Sequence, residues 1–232
     1  SATMSVKHDF SFLKKRLGID LVDSARLIEL DAGTPYDYAQ QCMVAVPAFL
    51  PEPGERNRDY ANELGVLLSE VFRRTNGRAM GLFTSYDMLR RSSDVLRQEM
   101  LGDGINILVQ GQSGSRENMT ATFMRDIHSV LLGTHSFWEG VDVVGEALSC
   151  LAIARLPFAV FTDPIVQARC EQVEADGENA FLGYSLPCAV IRFRQGFGRL
   201  IRHKTDRGIV LVTDRRMVSK RYGKWFQDSI PT

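Results

Sequence analysis

Short apolar runs separated by amphipathic stretches constrain this chain more than any other feature of it. Runs suited to buried strands occur at Leu27 to Leu30, Cys42 to Val46, Met80 to Phe83, Ile105 to Val109, Val130 to Leu132, Leu151 to Ala154 and Ile209 to Val212. Between them the spacing predicts helices near Asp59 to Arg74, Tyr86 to Met100, Glu117 to Ile127, Pro164 to Glu174, Leu186 to Leu200 and Gly223 to Ile230. Strand, helix, strand in regular succession closes through crossovers, which predicts an α/β fold with a mainly parallel sheet and helices on both faces. In such sheets ligands gather at the carboxyl ends of the strands. The stretch Pro47 to Arg58, with three prolines, reads as a lead-in to the compact part.

Charge and cysteine usage then exclude several classes. Lysine plus arginine equal aspartate plus glutamate at 28 each, so no global basic field draws the chain to nucleic acid or to an anionic membrane, and any DNA binding must be local. Cys42, Cys150, Cys170 and Cys188 are scattered with no C-x-x-C pair, which speaks against a zinc or iron–sulfur site built by this chain alone. Four buried, reduced thiols in a cytosolic protein are expected. No apolar run reaches the roughly 18 residues of a membrane span, and the start of the chain lacks the apolar centre of a signal peptide, so neither membrane association nor export is expected.

Three segments carry the residues suited to chemistry. In Gln195-Gly196-Phe197-Gly198-Arg199-Leu200-Ile201-Arg202, an uninterrupted helix at about 100° per residue would set Gln195, Arg199 and Arg202 within roughly 60° of one another. Two guanidiniums on one stripe suit a transferring phosphoryl group; the alternative is the solvated basic face of an amphipathic helix. Gly196 and Gly198 each cost roughly 1 kcal/mol in a helix interior, which points to close approach from outside. In the second segment, Gly81 to Phe83 runs into Thr84, Ser85 and Tyr86. Hydroxyls and free N–H groups at a helix start form an anion site, with simple helix capping as the alternative. Tyr86 offers a ring to stack on a base or to pack. The third segment runs from Val130 to Asp142. Thr134 and Ser136 can hold phosphates, Gly140 permits a strained turn, and Asp142 can accept ribose hydroxyls. Phe137 and Trp138 are expected in the core, the indole being the one with an alternative use on a base. His135 has no partner at metal-ligand spacing and is expected on a loop or at the surface.

In order and spacing these segments resemble motifs IV, V and VI of superfamily 2 helicases. The wording Ser136-Phe137-Trp138-Glu139-Gly140-Val141-Asp142, Leu156-Pro157-Phe158, Tyr184-Ser185-Leu186-Pro187, Gln195 to Arg202, Thr205-Asp206-Arg207-Gly208 and Asp214-Arg215-Arg216 is similar to the DinG family, relatives of XPD. Ser1-Ala2-Thr3-Met4 resembles motif III, which closes the first RecA-like domain, with a cloning remnant ahead of an initiating Met4 as the alternative.

The resemblance implies a RecA-like, P-loop NTPase-type sheet, here the second helicase domain only. Residues 1–57 would be the end of the first domain and a lead-in packing on the next, and residues 58–232 the C-terminal RecA-like domain. It further implies that ATP sits between two such domains. The phosphate loop, the Mg2+ ligands and any iron–sulfur cysteines would belong to the absent N-terminal helicase domain, which is a partner within the same protein. Arg202 would be the arginine finger and Arg199 its partner, with Gln195 positioning phosphate or water. Glu139, Gly140 and Asp142 would serve nucleotide binding and coupling, and Asp214 would orient an arginine of motif VI or form a strand-end turn. Thr84, Ser85, Tyr86, Thr134 and Ser136 would contact single-stranded DNA. The family implies 5′ to 3′ translocation, a cytoplasmic and, in bacteria, nucleoid-associated protein, and an isolated domain that hydrolyses almost no ATP. Two alternatives stay open: the ATP- and DNA-binding part of a DinG-like exonuclease, and a non-catalytic nucleotide-binding module.

Overall fold

The computed structural model describes residues 4–6, 9–54, 59–138 and 146–231. Six strands, β1 (Cys42–Ala45), β2 (Ala79–Leu82), β3 (Asn106–Val109), β4 (Ser129–Gly133), β5 (Cys150–Ile153) and β6 (Gly208–Val212), form one sheet in the order β1-β6-β5-β2-β4-β3. Every pairing is parallel, so all six carboxyl ends lie along one edge and all six amino ends along the other.

The inner strands β2, β4 and β5 are almost wholly apolar because both faces are buried, whereas the edge strands β1 and β3 leave Met43 and Asn106 exposed. Along β2, Met80 and Leu82 face one core while Ala79 and the following Phe83 face the other, and β5 alternates likewise with Leu151 and Ile153 against Cys150 and Ala152. Helices α3 (Tyr60–Arg74) and α4 (Tyr86–Glu99) cover the second face through Leu64, Leu68, Phe72, Leu89 and Leu96. The first face is covered by α5 (Arg116–Arg125), α6 (His135–Trp138), α8 (Leu186–Phe197) and α10 (Gly223–Gln227), with Phe123, Trp138, Phe193 and Phe226 inside. Between α6 and α8 lies α7 (Pro164–Ala175), none of whose residues is buried. Ahead of the sheet come α1 (Ser11–Leu17) and α2 (Tyr38–Gln41), and α9 (Arg216–Ser219) follows β6.

The doubly covered parallel sheet is the one the alternating runs predict. Three local expectations fail, one of them the helix expected over Gly223 to Ile230, which ends at Gln227. Leu27 to Leu30 forms no strand: Ile28 is 97% exposed, so the run meets no sheet edge that would bury it. The helix expected to reach Leu200 ends at Phe197. Beyond it the bonds tighten to Arg199 N–H on the Gly196 carbonyl and Leu200 N–H on the Phe197 carbonyl, as helix ends commonly do, because the chain must turn to enter β6 at Gly208.

Candidate functional site

At the carboxyl edge, the ends of β2, β4 and β3 bring together three of the five residues expected to touch DNA. Their organiser is Gln110, one residue past β3. Its carbonyl oxygen accepts the Thr134 N–H at 2.6 Å and the Thr134 hydroxyl at 3.0 Å, while its amide nitrogen donates to the Tyr86 hydroxyl at 2.7 Å and to Ser136 Oγ at 3.0 Å. Arg116, on the first turn of α5, donates from Nη1 to the Ser136 carbonyl at 3.1 Å. Tyr86 is 59% exposed and Ser136 is exposed, whereas Thr134 is buried. The outer members of the cluster therefore face solvent on a base fixed from within.

Ser85 caps α4 by accepting the Met88 N–H at 3.3 Å, and the half-buried Thr84 lies beside it. Phe137 and Trp138 are core residues: both are fully buried, and the indole N–H donates to the Phe83 carbonyl at 2.9 Å. His135 is exposed at the start of α6.

Motif VI lies at the opposite edge. The first residue of β6, Gly208, is so close to Leu200 that a Cβ there would come within 2.9 Å of Leu200 Cδ1, which places the 198–207 loop at the amino ends. Asp206 Oδ2 accepts the backbone N–H groups of Arg202 and His203 at 2.8 and 2.7 Å. Residues leading into β1 hold the same loop from outside. Tyr36 donates to the Arg202 carbonyl at 2.6 Å, and the Gln41 amide donates to the carbonyls of His203 and Asp206, each at 2.9 Å. Arg202 is exposed, Arg199 is 5% exposed, and Gln195 is half-buried on the last turn of α8. The predicted stripe of all three is thus broken, because only Gln195 is helical and the loop sets the other two on separate turns.

The glycines of motif VI also have an internal cause. A Cβ on Gly196 would meet the Trp138 ring at 2.9 Å, and one on Gly198, which caps α8 with φ of −65°, would stand 3.3 Å from the Arg194 carbonyl. Their small size serves packing and the helix end, and no outside ligand is needed to explain them.

Asp214, at the carboxyl end of β6, is fully buried. Its oxygens take the Arg216 guanidinium at 2.6 to 3.2 Å, the Arg216 N–H at 3.1 Å and the Leu156 N–H at 3.0 Å. The arginine it orients is Arg216. A strand's length separates it from the motif VI loop, so the expectation that it steers a motif VI arginine is corrected. Burial works to lower the Arg216 pKa, but the bonds and charge of Asp214 outweigh it and raise it. Glu139, Gly140 and Asp142, and the Ser1 to Thr3 part of the motif III resemblance, lie outside the described residues.

The cysteines are free thiols, but only Cys150 is buried. Burial pushes its thiol up to about 12 and that of Cys42 up to about 11. Among the described residues no helix is long and apolar enough to cross a membrane.

A profile described as the helicase C-terminal domain matches residues 68–232. Over its whole length the chain is 38% identical to the ATP-dependent DNA helicase YoaA of Haemophilus influenzae, covering 34% of that protein. It is 35% identical to the 3'-5' exonuclease DinG of Bacillus subtilis, covering 25% of it, and so spans about a third or less of these relatives. Among solved structures, Xpd4 of S. tokodaii superposes with a TM-score of 0.61 at 16% identity, over 87% of this chain and 38% of that one. Dbp5 of S. cerevisiae, bound to RNA and ADP BeF3, gives 0.54 at 17% identity over 95% and 48%. These likenesses show a shared RecA-like fold. Since the profile match takes in β2 to β6 and every motif from Gly81 onward, the chain belongs to the helicase C-terminal domain family.

Proposed function

We propose that this chain is the C-terminal motor domain of an ATP-dependent DNA helicase of DinG type. Residues 1–57 are then the end of the preceding helicase domain and its lead-in, which donates β1 to the sheet, and 58–232 are the motor domain proper. ATP binds between the two domains. Arg202, exposed at the tip of a loop pinned by Asp206, Tyr36 and Gln41, reaches the γ-phosphate as charge develops in the transition state. Arg199 supports it from a buried position, and Gln195 on the last turn of α8 orients phosphate or water. Asp142, Glu139 and Gly140 couple nucleotide to DNA, and Asp214 contributes indirectly by fixing Arg216 on the edge that DNA crosses. Among the described residues no three His, Cys, Asp or Glu side chains converge on a point, and magnesium is assigned to ligands of the preceding domain.

At the carboxyl edge Thr84, Ser85, Tyr86, Thr134 and Ser136 hold single-stranded DNA through phosphates and one stacked ring, which makes binding independent of sequence and sensitive to salt. Domain closure on ATP and release after hydrolysis move these contacts along the strand, in the 5′ to 3′ sense of the family resemblance. The isolated domain should hydrolyse almost no ATP, since half the nucleotide site lies elsewhere. The observation carrying this reading is the placement of the exposed motif VI arginine and the polar cluster at opposite edges of one sheet in a helicase C-terminal domain.

The test is DNA-stimulated ATP hydrolysis by the full-length protein with and without Arg202→Ala. A large fall in turnover, with ATP and DNA affinity nearly intact, is expected; equal rates would remove the finger assignment. The relative named as an exonuclease supports a second reading, in which the same domain serves nuclease action with little unwinding. Cleavage of single-stranded DNA without strand separation on a forked duplex would favour it.

A further inference from the structure

We propose that Arg155 is a phosphate-binding residue that takes a backbone phosphate of single-stranded DNA at the carboxyl end of β5. The inference rests on the DNA path proposed above and extends it to a strand for which no contact has been assigned. Arg155 leaves the sheet between two neighbours whose backbones are still paired with it: Ala154 N–H donates to the Leu82 carbonyl at 2.9 Å and Thr213 N–H to the Ile153 carbonyl at 3.0 Å. Its place on the edge is therefore between Thr84 at the end of β2 and Asp214 at the end of β6.

The local chemistry leaves this guanidinium in need of an anion. Arg155 is half-buried, its Nε is fully enclosed, and that nitrogen makes no hydrogen bond among the described residues. The nearby carboxylate, Asp214, has both oxygens committed to Arg216 and to the Leu156 N–H. Burial lowers the Arg155 pKa, with the like charge of Arg216 acting in the same direction and Tyr60 and Asp214 opposing it only in part, the sign of a cation that is desolvated without full compensation.

The side chain is nonetheless held in place. Its guanidinium lies 5.8 Å from the centroid of the Tyr60 ring, and Tyr60 is fixed by donating to the Ala154 carbonyl at 2.6 Å. Burial raises the Tyr60 pKa, so the ring stays neutral. A planar fork, preorganised by an aromatic face and with an Nε that makes no hydrogen bond among the described residues, suits phosphate oxygens. With Arg116 beside Ser136 near β3, it would bracket the row of hydroxyls at β2 and β4 with a cation on each side.

The test measures binding of a fluorescent oligo-dT strand to the full-length protein across a salt series, comparing the natural sequence with Arg155→Ala, Arg155→Lys and Gln110→Ala. Arg155→Ala should weaken binding about tenfold and make the slope of log affinity against log salt shallower by about 0.7, the loss of one phosphate on a single strand. Arg155→Lys should keep the slope while losing part of the affinity, which also guards against a folding defect in the alanine variant. If Gln110→Ala weakens binding but both Arg155 variants match the natural slope and affinity, the strand does not pass β5 and the proposal is overturned. It is equally overturned if Arg155→Ala changes only the affinity for a fluorescent ATP analogue, or only turnover at saturating DNA. Its anion is then a nucleotide phosphate or a carboxylate of the preceding domain. If neither Arg155→Ala nor Gln110→Ala affects oligo-dT, the DNA path itself fails and the inference falls with it.

Discussion

At the carboxyl edge of the sheet the polar side chains are bonded to one another, whereas at the amino edge it is the backbone that is bonded and the side chain of Arg202 that stands at the surface. Gln110 ties Tyr86, Thr134 and Ser136 into one unit, and Asp206, Tyr36 and Gln41 tie down the loop under Arg202. The difference suits two kinds of ligand contact. A strand of nucleic acid sliding across an edge needs a fixed row of donors. An arginine that meets a phosphate only when two domains close needs a rigid base and a side chain able to reach.

The largest effect should come from the amino edge. Arg202→Ala should lower DNA-stimulated ATP hydrolysis by about 10³-fold or more, because a finger that acts on the transition state is lost from the rate and hardly from ground-state binding. Steady-state turnover beside oligo-dT affinity checks this. A comparable loss of DNA affinity would show that the two edges are not separate in function, and would dissolve the comparison.

Next comes a place where elements of the two edges meet through the core. Trp138 belongs to α6, directly after Thr134 and Ser136, and its ring packs on Gly196, the neighbour of Gln195 on α8. Gly196→Ala would force a Cβ to 2.9 Å from that ring, and overpacking of this kind costs about 1–3 kcal/mol. Chemical denaturation should show this loss. If the contact also carries coupling, the ratio of DNA-stimulated to unstimulated hydrolysis should fall under conditions where the variant is fully folded; an unchanged ratio would leave Trp138 a packing residue only.

Gln110→Ala tests the other half of the comparison. Removing the amide leaves the buried Thr134 N–H and hydroxyl without their partner and releases Tyr86 and Ser136. The expected result is about tenfold weaker binding of single-stranded DNA, seen as a rise in the DNA concentration that half-saturates hydrolysis and recoverable by adding more DNA. A fall in maximal turnover with no change in that concentration would move Gln110 from the DNA edge to the nucleotide side.

Gln110 also shows where a sequence stops being legible. The inner strands β2, β4 and β5 could be read because both of their faces are buried and their runs are almost wholly apolar. Leu27 to Leu30 has three apolar residues around Glu29, and nothing in four residues says whether a sheet edge lies within reach. Gln110 belongs to no pattern, since its partners lie 24 and 26 residues away along the chain and meet it only because β2, β4 and β3 are neighbours in space. Glycines misled in a different way. A glycine in a helix signals that something comes close, and the sequence alone does not distinguish the Trp138 ring from a ligand. The residue types of motif VI were legible, but their geometry was not, because Gly198 and the turn into β6 end the helix three residues before the expected Leu200.

Ser85 is the finest test of the two-edge picture, because its hydroxyl already has a structural task. It accepts the Met88 N–H as the cap of α4, so Ser85→Ala should cost about 1 kcal/mol of stability whatever else the residue does. Ser85→Asp separates the roles, since aspartate caps as well as serine and favours the helix dipole. Its stability should match the natural protein in a thermal melt. Where a DNA phosphate approaches the α4 start, the added negative charge should weaken oligo-dT binding several-fold and do so most at low salt. Equal affinity for the aspartate variant across the salt series would make Ser85 a cap alone and shift the DNA path toward the exposed side chains of Tyr86 and Ser136.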